Sequence, residues 1–536
     1  MKFLILLALS WLHGTDDPLF RVHCSTRQVT CLSEAAVGTS GGLRRLSGGV
    51  ELPGVPVRAL CGSLIASDCG VYEDGRCLDA RPTWSLLRTP AGLVSGLASG
   101  RVRFWDTGQE VLCPTDAPIH SLAWDGERVL AASNQGLWSL DGQGVQEVRL
   151  SSNPVASTVT CVAASGDRVL VGTAAGVFRR KGKDWAALPG AVNVSALAVA
   201  PDGHAWVGTA DAGVYEETAG SLRQTLPTIR GVTALLCTPQ GVVVGTDHGA
   251  FLEGRPLYDW QAEISGNQVT ALACSKSDVW VGTFQDGLSH GRPGNWSRVE
   301  GLPSSWINQL GVSGQEVLVR FSSGLVLSGA GPYWRTMGRS SGWPKDWTSG
   351  LGPDWVATLS GFYTRQGKGW KTYVPKPALQ GVTVTGVARY GGSYWLGSQN
   401  GAYCYDAASG ECRQIVRELP DSWVTCLESS GGKLWAGTFR GGLAVFDGHR
   451  WSVELPGERI HCLLSTPSGL WVGTPRGLLW TDGREWRRFG REQGMPSEVV
   501  WSLAARGEEL WVGTDGGLLE MRGAGRRARV CGVSRT

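Results

Sequence analysis

One short motif recurs along the whole chain and restricts what the chain can fold into. Leu-Trp-Val-Gly-Thr stands at residues 510–514, and close copies end at residues 209, 283, 398, 438 and 474. When weaker copies are included, the last residue of the motif falls near residues 39, 67, 97, 133, 173, 209, 246, 283, 321, 358, 398, 438, 474 and 514. The usual step is 36 to 40 residues, and the first two steps are shorter. Fourteen copies at this spacing predict a repeat protein.

Each clear copy has the same internal plan. A Val/Ile-x-small-Leu segment stands before the motif, such as Val-Thr-Cys-Leu at 424–427, and an aromatic segment follows a Gly turn after it, as at 448–451. The 77 glycines and 25 tryptophans fit many tight turns between short strands. The four short runs in each copy are alternating, β-branched or aromatic, and they leave no room for an amphipathic helix. Four strands in about 38 residues is the size of a β-propeller blade.

The number of copies predicts an all-β chain of tandem β-propellers with about fourteen four-stranded blades. Because a ring usually has four to eight blades, two seven-bladed rings are the natural division, and six plus eight is the alternative. We expect the first β-propeller within residues 15–262 and the second within residues 263–536. Two segments are candidate surplus outer strands, residues 20–24 and residues 527–533. One of them is expected to close a ring, and the sequence leaves open which one.

The first fourteen residues, 1–14, predict a signal peptide. Lys2 precedes an apolar run from Phe3 to Leu9, which is too short to span a membrane but fits the apolar part of such a peptide. The alternatives are a fortuitous apolar start and a misplaced start codon. Because no second apolar run of spanning length follows, we expect a mature chain without a transmembrane helix, in the periplasm or outside the cell.

The repeat is similar to one known family. The pattern Leu-Trp-Val-Gly-Thr-x-x-Gly-Leu at 510–518, with the linker Gly-Leu-Pro-Ser-Ser at 301–305, resembles the two-component regulator propeller repeat. In that family, paired seven-bladed propellers often form the periplasmic sensor of a membrane-bound hybrid histidine kinase, and some recognise carbohydrate. The resemblance covers nearly the whole mature chain and implies an extracytoplasmic, sensor-like, ligand-binding protein. The sequence has no kinase, so signalling would need a separate membrane partner.

No motif in the sequence indicates catalysis. The net charge of +3 predicts no nucleic-acid partner, and the eight histidines are scattered without metal-ligand spacing, so no metal site and no cofactor is expected. Two Gly-x-Ser-x-Gly strings, at 38–42 and 338–342, lack the strand-turn-helix context of a nucleophile elbow. Asp and Glu are numerous enough for a glycosidase pair, so a propeller-type polysaccharide hydrolase or lyase stays an alternative. A protein-interaction scaffold at the cell surface is another.

The fourteen cysteines contain no Cys-x-x-Cys pair, and several occupy the small-residue position of the first strand. Cys404 and Cys412 differ, because a turn centred on Ala408 would place them opposite each other. An oxidising compartment would favour a disulfide there, and two free thiols are the alternative.

The expected ligand-binding surface lies in the second ring. The turn after each motif varies while its frame is constant, and it emerges on the same face as the loop that precedes the first strand of a blade. Variable loops on a rigid scaffold are typical of a binding surface. Aromatic faces with guanidinium neighbours suit sugars, so an oligosaccharide is the expected ligand, although each Trp could instead pack between blades. The candidate residues are Phe284, Trp306, Trp423, Phe439, Arg440 and Arg476.

Overall fold

The computed structural model describes residues 20–26, 28–47, 50–141, 144–218, 220–257, 263–293, 295–313, 316–330, 333–337, 347–359, 361–366, 369–373 and 382–522. In these residues 56 strands form fourteen four-stranded antiparallel sheets, which confirms the predicted fold class. The described residues divide into two compact units, residues 25–257 and residues 20–24 with 263–522. We call them ring 1 and ring 2. The predicted signal peptide and the candidate strand at 527–533 lie outside the described residues.

Ring 1 contains blades 1 to 7, each built from four consecutive strands. Its strands are β2 Val29–Leu32, β3 Ala36–Thr39, β4 Gly42–Arg45 and β5 Val50–Glu51; β6 Val57–Cys61, β7 Leu64–Ser67, β8 Gly70–Glu73 and β9 Arg76–Asp79; β10 Thr83–Thr89, β11 Gly92–Leu97, β12 Arg101–Phe104 and β13 Glu110–Leu112; β14 Ser121–Trp124, β15 Val129–Ser133, β16 Gly136–Asp141 and β17 Gly144–Glu147; β18 Val159–Ser165, β19 Arg168–Thr173, β20 Gly176–Lys181 and β21 Asp184–Leu188; β22 Val194–Val199, β23 Ala205–Thr209, β24 Gly213–Thr218 and β25 Ser221–Leu226; β26 Val232–Thr238, β27 Gly241–Thr246, β28 Gly249–Leu252 and β29 Arg255–Pro256. A short 3-10 helix, Pro154–Ser157, precedes blade 5.

Ring 2 contains blades 8 to 14. Its strands are β30 Val269–Cys274, β31 Val279–Thr283, β32 Leu288–Arg292 and β33 Asn295–Arg298; β34 Ile307–Ser313, β35 Glu316–Phe321, β36 Val326–Ala330 and β37 Tyr333–Thr336; β38 Thr348–Leu351, β39 Trp355–Thr358, β40 Gly361–Gln366 and β41 Gly369–Tyr373; β42 Val384–Tyr390, β43 Ser393–Ser398, β44 Gly401–Tyr405 and β45 Cys412–Ile415; β46 Val424–Ser430, β47 Lys433–Thr438, β48 Leu443–Phe446 and β49 Trp451–Glu454; β50 Cys462–Thr466, β51 Gly469–Thr474, β52 Gly477–Thr481 and β53 Trp486–Phe489; β54 Val500–Arg506, β55 Glu509–Thr514, β56 Gly517–Arg522 and β1 Phe20–His23. A second 3-10 helix, Arg491–Gln493, precedes blade 14.

The two rings close through the same contacts between first strands but differ in how their last blade is completed. In both rings the first strand of each blade contacts the first strands of its two neighbours, and the contacts β2–β26 and β30–β54 complete the two circles of seven. Blade 14 takes its outer strand from the chain start, because β1 pairs antiparallel with β56 and places His23 opposite Leu518. His23 Nε2 lies 3.3 Å from the buried Glu520 carboxylate, which also contacts Arg522. The segment near residue 20 is therefore the strand that closes a ring.

The repeated motif follows from this packing. The buried hydroxyl of Thr438 donates to the Gly442 carbonyl across the following turn, and most blades make the same bond. The preceding glycine has no space for a side chain, since a Cβ on Gly437 would lie 2.6 Å from Ile460 of the next blade. In the first strand, the Thr425 hydroxyl donates to the Ile460 carbonyl at 2.7 Å. The Val-Thr and Val-Gly-Thr patterns thus join each blade to the next.

The tryptophan of the motif packs between blades, as expected. Trp471 is fully buried against Val500 and Leu510 of blade 14, and Trp435 is buried against Ile460 of blade 13. Large aromatic side chains there fill the space between two sheet faces, so these residues form the core of ring 2.

Cys404 and Cys412 do not face each other, so the disulfide considered from the sequence is not formed. β44 and β45 pair Tyr405 with Cys412 and Cys404 with Arg413. Because neighbouring residues of a strand point to opposite faces of the sheet, the two thiols lie on opposite faces, and both are free. The turn is centred half a residue beyond Ala408, which shifts the register by one.

Candidate ligand-binding face of ring 2

The turn after the motif and the loop before the first strand meet at one end of each blade. In blade 8 the Phe284 N–H donates to the Gln268 carbonyl, and in blade 12 the Phe439 N–H donates to the Trp423 carbonyl, both at 3.0 Å. Blade 9 makes the same bond between Ser322 and Trp306. These segments define what we call the loop face of ring 2. The backbone bonds hold the variable side chains on a fixed frame.

The largest cluster on the loop face is built on Trp423 and Phe439. Their rings stack with centroids 4.2 Å apart and planes 14° from parallel. The guanidinium carbon of Arg459 lies 3.8 Å from the Phe439 centroid and that of Arg440 lies at 5.5 Å. Because Trp423 already covers one face of Phe439, Arg459 covers the other. Trp423 remains 36% exposed and presents an aromatic surface to solvent.

Acidic groups position this cluster without neutralising it fully. Asp421 accepts from the backbone N–H groups of Trp423 and Arg440, at 3.0 and 2.8 Å. The buried Glu458 carboxylate contacts two arginines, Arg476 at 3.1 Å and Arg488. Both carboxylates are therefore already engaged within the protein, Asp421 by hydrogen bonds and Glu458 by ion pairs.

A second cluster lies earlier in ring 2, at blades 8 to 10. Phe284 stacks on Trp306 with centroids 5.4 Å apart, and Trp306 is 48% exposed. Trp347 occupies the same position before the next first strand, is 42% exposed and lies 5.5 Å from the Arg320 guanidinium. Burial lowers the pKa of Arg320 to about 10. Sequence reasoning missed Trp347, although its place directly before Thr348 matches that of Trp306 and Trp423.

A third group, also missed, surrounds His461. Its ring stacks on Trp501 with centroids 4.3 Å apart, and the Trp501 indole N–H donates to Asp515. His461 Nδ1 lies 2.8 Å from the Val500 carbonyl, so Nδ1 carries the proton, and Nε2 has no hydrogen-bond partner in the described part of the chain. Burial lowers the pKa of His461, which keeps the ring neutral near pH 7.

The six residues expected from the sequence therefore form two groups. Phe284 and Trp306 make one, and the other contains Trp423, Phe439 and Arg440, with Arg476 joined to it through Glu458. No described contact connects the two groups into a single continuous surface. Their role in ligand binding stays a prediction.

The fold is shared with solved structures. No protein-family model matches the chain, and no curated protein is significantly similar to it. PorZ, a surface component of the type-IX secretion system of Porphyromonas gingivalis, superposes with a TM-score of 0.70 at 13% identity, covering 94% of this chain and 87% of PorZ. The GH74 enzyme of Niastella koreensis superposes at 0.60 with 11% identity, covering 94% of this chain and 99% of the enzyme. The extracellular domain of the putative hybrid two-component system BT3049 of B. thetaiotaomicron reaches 0.41 with 12% identity, covering 94% and 83%.

At these identities PorZ and the GH74 enzyme show a common fold and nothing more. The chain is a tandem seven-bladed β-propeller protein, and its resemblance to the two-component regulator propeller repeat stays a prediction from sequence. No helix within the described residues has the length and apolar character needed to cross a membrane.

Proposed function

We propose that this protein is a periplasmic or secreted, sensor-like propeller that binds an oligosaccharide at the loop face of ring 2 and acts with a separate membrane partner. The observation that carries the proposal is the recurrence of exposed tryptophan at one position. Trp306, Trp347 and Trp423 each stand directly before a first strand, and each is more than a third exposed. Three large aromatic side chains exposed at equivalent places offer apolar surface that a ligand can cover.

The chemistry of the loop face supports a sugar ligand. Sugar rings present apolar C–H faces that stack on indole and hydroxyl edges that take hydrogen bonds. Trp423 supplies such a platform, because its position is held by the Phe439 stack and by Asp421. A platform that is already ordered loses little side-chain entropy on binding.

The location is a separate part of the proposal. It depends on the predicted signal peptide at 1–14, and the surface location given for PorZ agrees with it. Fractionation of cells and mass determination of the exported chain test this part. A full-length chain retained in the cytoplasm contradicts it.

Binding can be tested with a glycan array followed by titration calorimetry of any oligosaccharide found. Trp423→Ala and Trp306→Ala are each expected to weaken binding at least tenfold, about 1.4 kcal/mol, with an almost unchanged melting temperature. Tyr333→Ala is the matched control, because Tyr333 is 82% exposed on the outer strand β37, away from the loop face. If only protein partners bind, the chain is an interaction scaffold, and release of new reducing ends would identify a hydrolase.

A further inference from the structure

We propose that the ligand of the Trp423 cluster is an acidic oligosaccharide whose carboxylate or sulfate groups are bound by Arg440 and Arg459. The inference rests on the proposed function and adds the chemical class of the ligand. The observation behind it is the charge balance at the boundary of blades 12 and 13.

Two guanidinium groups at this boundary have no acidic partner in the described part of the chain. The side chains of Arg440 and Arg459 are exposed, and no ion pair or hydrogen bond to a carboxylate is formed by either within the residues that the structure describes. Other arginines of ring 2 are paired, as exposed Arg335 and half-buried Arg365 share Glu316. Exposed Arg413 and Arg417 also form no ion pair in the described residues, and Arg440 and Arg459 differ from them in lying against the Phe439 ring of the exposed aromatic stack.

The nearby carboxylates cannot take this role. Asp421 is occupied by two backbone N–H groups, and Glu458 lies between Arg476 and Arg488. These four arginines share two carboxylates, so the group carries an excess of two positive charges, and the two unpaired guanidinium groups are those against the Trp423–Phe439 stack. A ligand with anionic groups along an apolar ring face complements this surface.

The aromatic stack fixes the geometry of the two arginines. Phe439 lies between Trp423 and Arg459, and Arg440 directly follows Phe439 at the turn. One guanidinium is therefore held against the stack, while its donors stay available to solvent. A pyranose that stacks on Trp423 would carry its substituents toward these donors. Arginine suits this task, because its planar fork binds carboxylate and sulfate oxygens through two hydrogen bonds.

The test compares probes of equal length and different charge by titration calorimetry of the full chain. The probes are hexagalacturonate, a sulfated heparin hexasaccharide, neutral maltohexaose and a single-stranded dT oligomer. We expect at least one of the two acidic sugars to bind tenfold or more tightly than maltohexaose, with an affinity that falls as salt rises. Which of the two binds better distinguishes a carboxylate from a sulfate ligand.

Arg440→Ala and Arg459→Gln are expected to lower the affinity for the acidic sugar at least tenfold each, and the Gln variant keeps part of the stem that covers Phe439. Arg450→Ala is the control, because Arg450 is an exposed arginine of the same blade in the β48–β49 turn, at the opposite end from the loop face. Equal binding of maltohexaose together with unaffected arginine variants overturns the inference, while a Trp423→Ala defect would leave the proposed function standing. Failure of every sugar, or preferred binding of dT, overturns both.

Discussion

Ring 1 and ring 2 have the same frame and different surfaces. The contrast is shown by the residue before the buried residue that opens each first-strand segment, which is Ile119 in blade 4, Ile460 in blade 13 and the first residue of the strand in the other blades. In ring 1 these residues are Gln28, Pro56, Pro82, Pro118, Thr158, Asn193 and Gly231, and in ring 2 they are Gln268, Trp306, Trp347, Thr383, Trp423, Arg459 and Val499. Ring 1 has no aromatic residue there, and ring 2 has three. Blades of both rings make the same backbone bond at this position, so the blade frame does not require an aromatic residue there.

The interiors differ as well. Two residues before the motif glycine or its equivalent, ring 2 has Trp in six of its seven blades, whereas ring 1 has only Trp206. Ring 2 also depends on a strand from the chain start, while every blade of ring 1 is continuous in sequence. Ring 2 therefore has larger individual core residues and a single closing strand.

The largest expected effect is removal of the closing strand. A variant that lacks residues 1–23 loses the β1–β56 pairing and the His23–Glu520 contact, which leaves one side of blade 14 uncovered. We expect ring 2 to lose on the order of 5 kcal/mol of stability from lost burial and strand hydrogen bonds. Hydrogen exchange should show faster exchange in β54–β56 and unchanged exchange in β2–β28. A variant that lacks only residues 1–19 is the control, and unchanged protection of blade 14 contradicts the prediction.

The core tryptophans give the next largest effect. Trp471→Ala should cost about 3–5 kcal/mol, because it removes a fully buried aromatic side chain between two blades. Leu170 fills the same position in ring 1, and Leu170→Ala should cost about 2–5 kcal/mol. Denaturant titration of both variants measures the difference. Retained stability in Trp471→Ala would show that this position is not part of the core.

A pH effect should appear in ring 2 through Glu428, which is mostly buried on the first strand β46. Burial raises its pKa to about 7 from the usual 4.5, and the Ser465 N–H offsets part of this shift. Between these values the folded state holds a proton that the unfolded state has released, so the free energy of unfolding falls as pH rises from about 4.5 to 7. The loss is on the order of 3 kcal/mol.

Glu428→Gln should remove this pH dependence and raise stability at pH 8. The equivalent residues of ring 1 are uncharged and make no such contribution: Ser33, Cys61, Leu87, Ala123, Ala163, Ala198 and Leu236. Thermal unfolding of both chains from pH 4 to 8 provides the measurement. Parallel curves for the two proteins would mean that Glu428 is well solvated.

The smallest effect concerns the frame that both rings share. A Cβ on Gly437 would lie 2.6 Å from both the Cys426 sulfur and Ile460, and one on Gly172 of ring 1 would lie 2.6 Å from Cys161 and Val194. Gly437→Ala and Gly172→Ala should therefore each cost about 1–3 kcal/mol. Calorimetric melting compares them with the exposed control Ser429→Ala. A cost confined to one ring would show that the blade contacts are not equivalent.

Features that repeat with the blade could be predicted from the sequence. The motif that ends at Thr438 and the first-strand pattern that begins at Val424 each recur, so many copies of one structural unit can be compared within a single chain. From this comparison, the strand order within a blade, the number of blades and the buried position of Trp471 could be predicted. The exposed position of Trp347 could have been predicted in the same way, because Trp347 stands directly before Thr348.

Features that occur once were decided by the tertiary structure. The contact between His23 and Glu520 joins residues 497 positions apart, and no local pattern marks β1 rather than the segment at 527–533 as the closing strand. Whether Cys404 and Cys412 face each other depends on where the turn between β44 and β45 is centred. A shift of half a residue changes the strand register by one and moves one side chain to the other face of the sheet. The Arg459–Phe439–Trp423 stack combines side chains from two blades. Local sequence determines strands and their repetition because these depend on neighbouring residues, whereas closure, register and contacts across blades depend on how distant segments meet in three dimensions.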